Sequence, residues 1–236
     1  MALETLIGAV GDPDAAGKLI CGSWLKDERL FDIGFSVVKN NDFTCCYCGF
    51  KSRPSTQHRA GLMTPVNLGS SDLKPTGKGD ICLCPFCASS VAINWSVAPT
   101  GSPGKELPAP GVLIYCPWLS QKEISLLALH SVCISAERKV GDSSPLNASV
   151  RDVDAAMAAL NQEMGIHIPV YRGSDADFAR ALSLLPTQFY EQRAEIVGAV
   201  RWWPNLAYWS EWGRYFYAAT FKAVHDRSHE LERLLK

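Results

Sequence analysis

The feature that most restricts how this chain can fold is a pair of Cys-x-x-Cys motifs that are separated by 35 residues. Each motif places two thiolates on the same side of a tight knuckle, and Gly49 after the first motif tolerates the positive φ that such a turn often needs. Two knuckles complete the tetrahedral shell of four sulfurs that zinc favours, at about 2.3 Å from the metal. The sequence therefore predicts one structural Zn2+ bound by Cys45, Cys48, Cys84 and Cys87.

A zinc ion with four thiolate ligands is coordinatively closed, because no position is left for water or a substrate. Such an ion stabilises a fold and does not carry out hydrolysis. The sequence also contains no G-x-x-x-x-G-K-[ST] loop, no G-x-S-x-G elbow and no G-x-G-x-x-G fingerprint. We therefore expect a protein that is not an enzyme.

The other five cysteines have no spacing that identifies them as ligands. Cys46 and Cys82 lie beside the predicted ligands, and we favour small buried apolar residues at both positions. Two alternatives stay open: Cys82 as a substitute ligand, and a thiol redox sensor that releases zinc on oxidation. Cys21, Cys116 and Cys133 are predicted to be thiols of the core.

Composition and charge indicate an ordinary globular protein, with 47% hydrophobic residues, 20% charged residues and a net charge of −1. Proteins that bind nucleic acid mainly through its phosphates usually carry a basic surplus, so nucleic-acid binding is not favoured. The N-terminal residues lack the pattern of a secretory signal, and no segment approaches the roughly 18 apolar residues of a membrane span. We therefore expect a cytoplasmic protein, in which clustered cysteines bind metal rather than form disulfides.

The order of elements predicts the α+β fold class. Residues 1–140 are predicted to form a zinc-containing α+β domain, and its zinc module covers about residues 43–97. That module is expected to have short strands in an HNH-like or zinc-ribbon-like arrangement, packed with a helical C-terminal part. Residues 141–236 form this helical region, either as a separate unit or as part of the same domain. Short β-type runs supply strands at residues 81–84, 91–97 and 112–115.

Capping signals mark several predicted helices. Ser120-x-x-Glu123 is a capping box, because the serine oxygen and the glutamate carboxylate each accept a hydrogen bond from an unpaired backbone N–H. Similar signals stand at residues 149 and 174. The predicted helices run from residue 120 to about 139, from 149 to 164 with Gly165 as a stop, from 174, from 186 to before Pro204, and over about 205–235. A short strand is predicted at residues 166–171.

The segment after residue 200 is unusually rich in aromatic residues. Helical spacing places Trp202, Trp209, Trp212 and Phe216 on one face, and further aromatic residues lie on other faces. We favour a helix that is buried on two sides by its own domain. An exposed aromatic patch for a partner protein is the alternative.

The two cysteine pairs bracket His58, a layout that resembles the zinc-bearing HNH endonucleases. Their chemistry needs a histidine that activates water and further ligands for a second metal ion. His58 is the only histidine between residues 1 and 129, and Ala88 follows Cys87 where such nucleases typically have histidine. A nucleic-acid-binding protein or nuclease is therefore the alternative function, and we favour a structural or surface role for His58.

A more specific resemblance covers roughly residues 40–140. Four parts of the sequence are similar to the DotN/IcmJ family: FTCCYCGF at residues 43–50, His58 with VNL at 66–68, CLCPFCAS at 82–89, and GVLIYCPWLSQKEISLLALHSVCISA at 111–136. Members of this family are the zinc-binding component of the coupling complex in type IVB (Dot/Icm) secretion systems. The loop at residues 69–80 and the aromatic end after about residue 170 depart from the family pattern.

The resemblance implies a cytosolic, non-enzymatic adaptor subunit with an HNH-like zinc fold. It implies as partners the C-terminal tail of a VirD4-like coupling ATPase and other coupling-complex subunits, without direct membrane insertion. The adaptor would be recruited through this partner to the inner face of the inner membrane. It would serve either effector secretion or plasmid conjugation. We expect a partner's helix to lie in a groove between the zinc module and the Ser120 helix.

Overall fold

Helices and two small antiparallel sheets make up the described part of the chain, which confirms the predicted α+β class. The computed structural model describes residues 7–56, 58–101, 104–136, 145–185, 195 and 197–216. Over these residues the helices are α1 (Pro13–Ile20), α2 (Glu28–Asn40), α3 (Pro85–Val91), α4 (Ile93–Ser96), α5 (Gln121–Ala136), α6 (Pro145–Ala159), α7 (Met164–His167), α8 (Asp175–Ser183) and α9 (Leu206–Phe216). The strands are β1 (Thr64–Val66), β2 (Ile81–Leu83), β3 (Gly111–Tyr115) and β4 (Val200–Pro204). None of these helices is long and apolar enough to cross a bilayer.

The first sheet is a hairpin that leads directly into a buried helix. β1 and β2 are antiparallel, with Pro65 opposite Cys82. Cys84 is the N-cap of α3, and Pro85 occupies the first turn, where its missing N–H costs no hydrogen bond. Every residue of α3 is buried. The hairpin and α3 therefore hold the second cysteine motif inside the protein.

The second sheet joins distant parts of the chain, and side chains complete its two outer edges. β3 and β4 are antiparallel, with Leu113 opposite Trp202. Asp175 accepts from the N–H of Leu113 at 2.7 Å, and Asn161 donates to the carbonyl of Leu113 at 2.7 Å. Gln121 accepts from the N–H of Trp202 at 2.8 Å and donates to its carbonyl at 3.0 Å. Three side chains thus take the place of neighbouring strands, and buried backbone groups find partners.

Elements that precede residue 140 pack against elements that follow it, so the two predicted regions are in contact. β3 precedes that residue and β4 follows it, so both regions contribute to one sheet. α5 packs extensively against α9, and α3 packs against both α5 and β4. Residues from the two regions therefore share one sheet and one helix pair.

Two predicted helix starts are confirmed. The N–H and the hydroxyl of Ser120 both donate to the Glu123 carboxylate at 2.7 Å, and the Glu123 N–H donates to the Ser120 hydroxyl at 3.3 Å. This reciprocal pattern is that of a capping box. The Ser174 hydroxyl accepts from the N–H of Asp177 at 3.2 Å. The predicted end of the Ser120 helix, at about residue 139, lies outside the described residues.

Of the three strands predicted before residue 120, two are present, and residues 91–97 are helical instead. β2 and β3 correspond to the predictions at residues 81–84 and 112–115. The end of α3 and the whole of α4 occupy the third position. The strand prediction is wrong there because a short apolar run that is buried on all sides has no period that separates strand from helix.

Three predictions near the middle of the second region are wrong. α6 begins at Pro145, so Ser149 lies inside the helix, because a proline in the first turn starts it earlier than the serine signal. α6 ends at Ala159, and Gly165 lies within α7 instead of ending a helix. Helix α7 and a turn, in which the N–H of Tyr171 donates to the carbonyl of Ile168 at 2.9 Å, replace the predicted strand.

β4 replaces the end of the helix that was predicted to start at residue 186. Val200 and the two tryptophans that follow Arg201 favour the extended backbone, and pairing with β3 buries them. Pro204 stands at the end of the strand, where proline is tolerated. Residues 186–194 and 217–235, over which predicted helices continue, lie outside the described residues.

Replacing Gln121 with leucine is expected to lower the free energy of unfolding by about 2–4 kcal/mol, because two buried backbone groups of Trp202 lose their partners. Urea denaturation followed by circular dichroism measures the change. Gln162→Leu is the matched control, since Gln162 is exposed. We expect that control to change the free energy by less than about 0.5 kcal/mol. Equal losses in both variants would contradict the role of Gln121.

Candidate metal centre

The structure brings the four predicted cysteines together in the interior. The sulfur atoms of Cys45, Cys48, Cys84 and Cys87 all lie within 4.8 Å of one another, and each residue is buried. The Sγ atoms of Cys48 and Cys84 are 3.7 Å apart. A tetrahedron of sulfurs at about 2.3 Å from a central ion has edges of about 3.8 Å. The arrangement is therefore compatible with one structural metal ion.

The first knuckle is built by a short reversal of the chain after α2. The N–H of Cys45 donates to the carbonyl of Phe50 at 2.8 Å, and the N–H of Gly49 donates back to the carbonyl of Cys45 at 2.9 Å. Gly49 has the positive φ of +77° that the sequence predicted, and a β-carbon there would be strained. The N–H of Phe50 points to the Cys48 sulfur at 3.5 Å. This backbone donor stabilises a thiolate at Cys48.

The second knuckle is the first turn of α3. The Cys84 sulfur caps this helix and accepts from the N–H of Cys87 at 3.4 Å. One backbone hydrogen bond joins the knuckles, because the N–H of Cys46 donates to the carbonyl of Cys82 in β2 at 2.8 Å. The hairpin therefore fixes the distance between the two cysteine motifs.

The electrostatics of the site favour a bound cation. Burial raises the pKa of the Cys84 thiol well above its usual value, and hydrogen bonds with Cys45 and Cys48 raise the pKa of Cys87. For Cys45, burial raises the pKa, but hydrogen bonds from the other three thiols outweigh burial and lower the pKa overall. Without a cation, the Cys45 thiolate is therefore favoured, and its charge disfavours ionisation of Cys84 and Cys87. A divalent ion would favour the thiolate form of its cysteine ligands over the protonated thiols, because a thiol binds a metal ion only after it has lost its proton.

The remaining cysteines fall into two groups. Cys82, Cys116 and Cys133 are buried, as predicted, and Cys82 lies outside the group of four sulfurs. Burial raises the pKa of the Cys82 thiol, which keeps it protonated. Cys46 and Cys21 are exposed, so their predicted burial is wrong. Cys46 stands between two ligands on the outer side of its knuckle, and Cys21 caps the C-terminus of α1.

His58 lies on the loop between the first knuckle and β1. Its ring contacts the ring of Tyr215 edge to face, with the centroids 4.8 Å apart. Burial lowers the pKa of His58, so the ring is more readily neutral than an exposed histidine. Its Nε2 atom is buried and has no hydrogen-bond partner among the described residues. Ala88, which follows the last ligand, is completely buried.

An aromatic cluster connects both knuckles to the C-terminal helix. Phe86, between the ligands of the second knuckle, packs on Trp209 and Phe216 with centroid distances of 5.1 and 5.2 Å, and on Trp202 at 6.3 Å. Phe50, after the first knuckle, contacts Phe216 at 6.0 Å. Helix α9 thereby fills the space between the zinc module and α5, where the sequence predicted a partner's helix. Phe86 lies within one cysteine motif, and Phe50 follows the other. The motifs alone, however, do not predict that these two rings contact α9.

The burial predicted for the aromatic segment is confirmed for its central residues. Trp202, Trp209 and Phe216 are at most 1% exposed, and Trp212 is partly buried. Tyr215 is 41% exposed. Trp202 lies in β4 and not on the helix, so its assignment to a common helix face is wrong.

Comparison of the chain with protein-family models and with curated proteins gives no match. The metal centre and the surfaces around it are therefore the features from which a function can be inferred. Their geometry is that of a closed, buried site with an aromatic support.

Replacing Cys84 with alanine is expected to abolish stoichiometric metal binding and to unfold most of the protein. The reason is that the binding energy of a structural zinc site, about 10 kcal/mol or more, is comparable to the total stability of a domain. Metal content measured by mass spectrometry, together with circular dichroism, tests this. Cys82→Ala is the matched control, because Cys82 is equally buried but lies outside the cluster. A full metal content in Cys84→Ala would rule out the assigned ligand set.

Replacing Phe216 with alanine is expected to cost about 3–5 kcal/mol of stability, because it removes a buried ring from the cluster that joins α9 to both knuckles. Urea denaturation of the metal-saturated protein measures the loss. Tyr215→Ala, at the neighbouring exposed position, should cost less than half as much. A smaller effect at Phe216 than at Tyr215 would contradict the packing described here.

Proposed function

We propose that this protein is a non-enzymatic adaptor in which one structural zinc ion organises a protein-binding body. The observation that carries the proposal is the closed and buried shell of four sulfurs, supported on both sides by the aromatic cluster. Its ligands are Cys45, Cys48, Cys84 and Cys87. All four coordination positions belong to the protein, so the ion has no position for water or substrate. Its contribution is to stability and shape.

Zinc is the ion that this donor set suits best. Four thiolates in a tetrahedral arrangement suit zinc or iron, and zinc is the usual occupant of a closed four-thiolate site built from two knuckles. The N–H groups of Phe50 and Cys87 point to two of the sulfurs and support their negative charge. The ion itself would supply no chemistry beyond holding the two motifs together.

The environment of His58 argues against hydrolysis at this site. A nuclease of the HNH type needs a histidine near an open metal position. The Nε2 atom of His58 is buried, the ring packs on Tyr215, and Ala88 occupies the position after the last zinc ligand. These features support a structural role for His58.

The partner that we propose is the C-terminal tail of a VirD4-like coupling ATPase, within a coupling complex of the DotN/IcmJ kind. The resemblance at residues 40–140 motivates this partner, and the non-catalytic metal centre agrees with it. Because α9 fills the space between the zinc module and α5, the tail has to bind another face of the body. Recruitment through the ATPase would bring the adaptor to the inner face of the inner membrane.

Binding of the adaptor to the C-terminal tail of the coupling ATPase from the same organism tests the proposal. We expect a one-to-one complex with the zinc-loaded protein, measured by isothermal titration calorimetry. Binding should fall at least tenfold in Cys84→Ala, because the body loses its shape, and persist in Cys82→Ala.

Two results would overturn the proposed adaptor. The first is the absence of binding between the folded, zinc-loaded protein and the tail. The second is Mg2+-dependent cleavage of plasmid DNA that His58→Ala abolishes, which would make the protein a nuclease.

A further inference from the structure

We draw no further inference here: the strongest candidate, a groove of about 520 Å3 that is lined by Tyr47 of the first knuckle, by Leu68 and Leu73 after β1 and by Leu185 after α8, is an apolar face, and nothing in the described part of the chain shows what covers it.

Discussion

The rest of this structure depends on the meeting of four buried cysteine sulfurs, which would repel one another as thiolates unless a cation lay between them. The sulfurs come from a reversal after α2 and from the first turn of α3, and they meet within 4.8 Å. Burial opposes ionisation of Cys84, so the thiolate shell is stable only around a positive ion. Backbone donors from Phe50 and Cys87 add to this stabilisation. An ion held there would fix the distance between two segments that would otherwise be free to separate.

The aromatic cluster extends this constraint to the C-terminal half of the described chain. Phe50 and Phe86 each stand close to a ligand in the sequence, and both contact Phe216 of α9. α9 packs on α5, which in turn supplies Gln121 to the outer edge of β4. Metal centre, helix pair and sheet therefore form one connected set of contacts. Loss of the ion should disturb surfaces that lie far from the sulfurs.

A division of roles follows from these contacts. All four sulfurs of the candidate metal centre belong to the protein, so an ion bound there would have no open coordination position, and its contribution would be to stability. α9 fills the space beside the two cysteine knuckles with the chain's own aromatic residues.

The sequence by itself determined the local features, because these depend on residues close together in the chain. The Cys-x-x-Cys spacing identified which four sulfurs meet, Gly49 marked the positive φ, and the Ser120 capping box marked a helix start. Only the tertiary structure decided the conformation of the apolar run at residues 91–97 and of the strand that contains Trp202, since a segment buried on all sides shows no period. The tertiary structure also decided which faces of the helices and strands are buried. The packing of Phe86 against α9 joins segments more than 100 residues apart in the chain, and no local pattern encodes it.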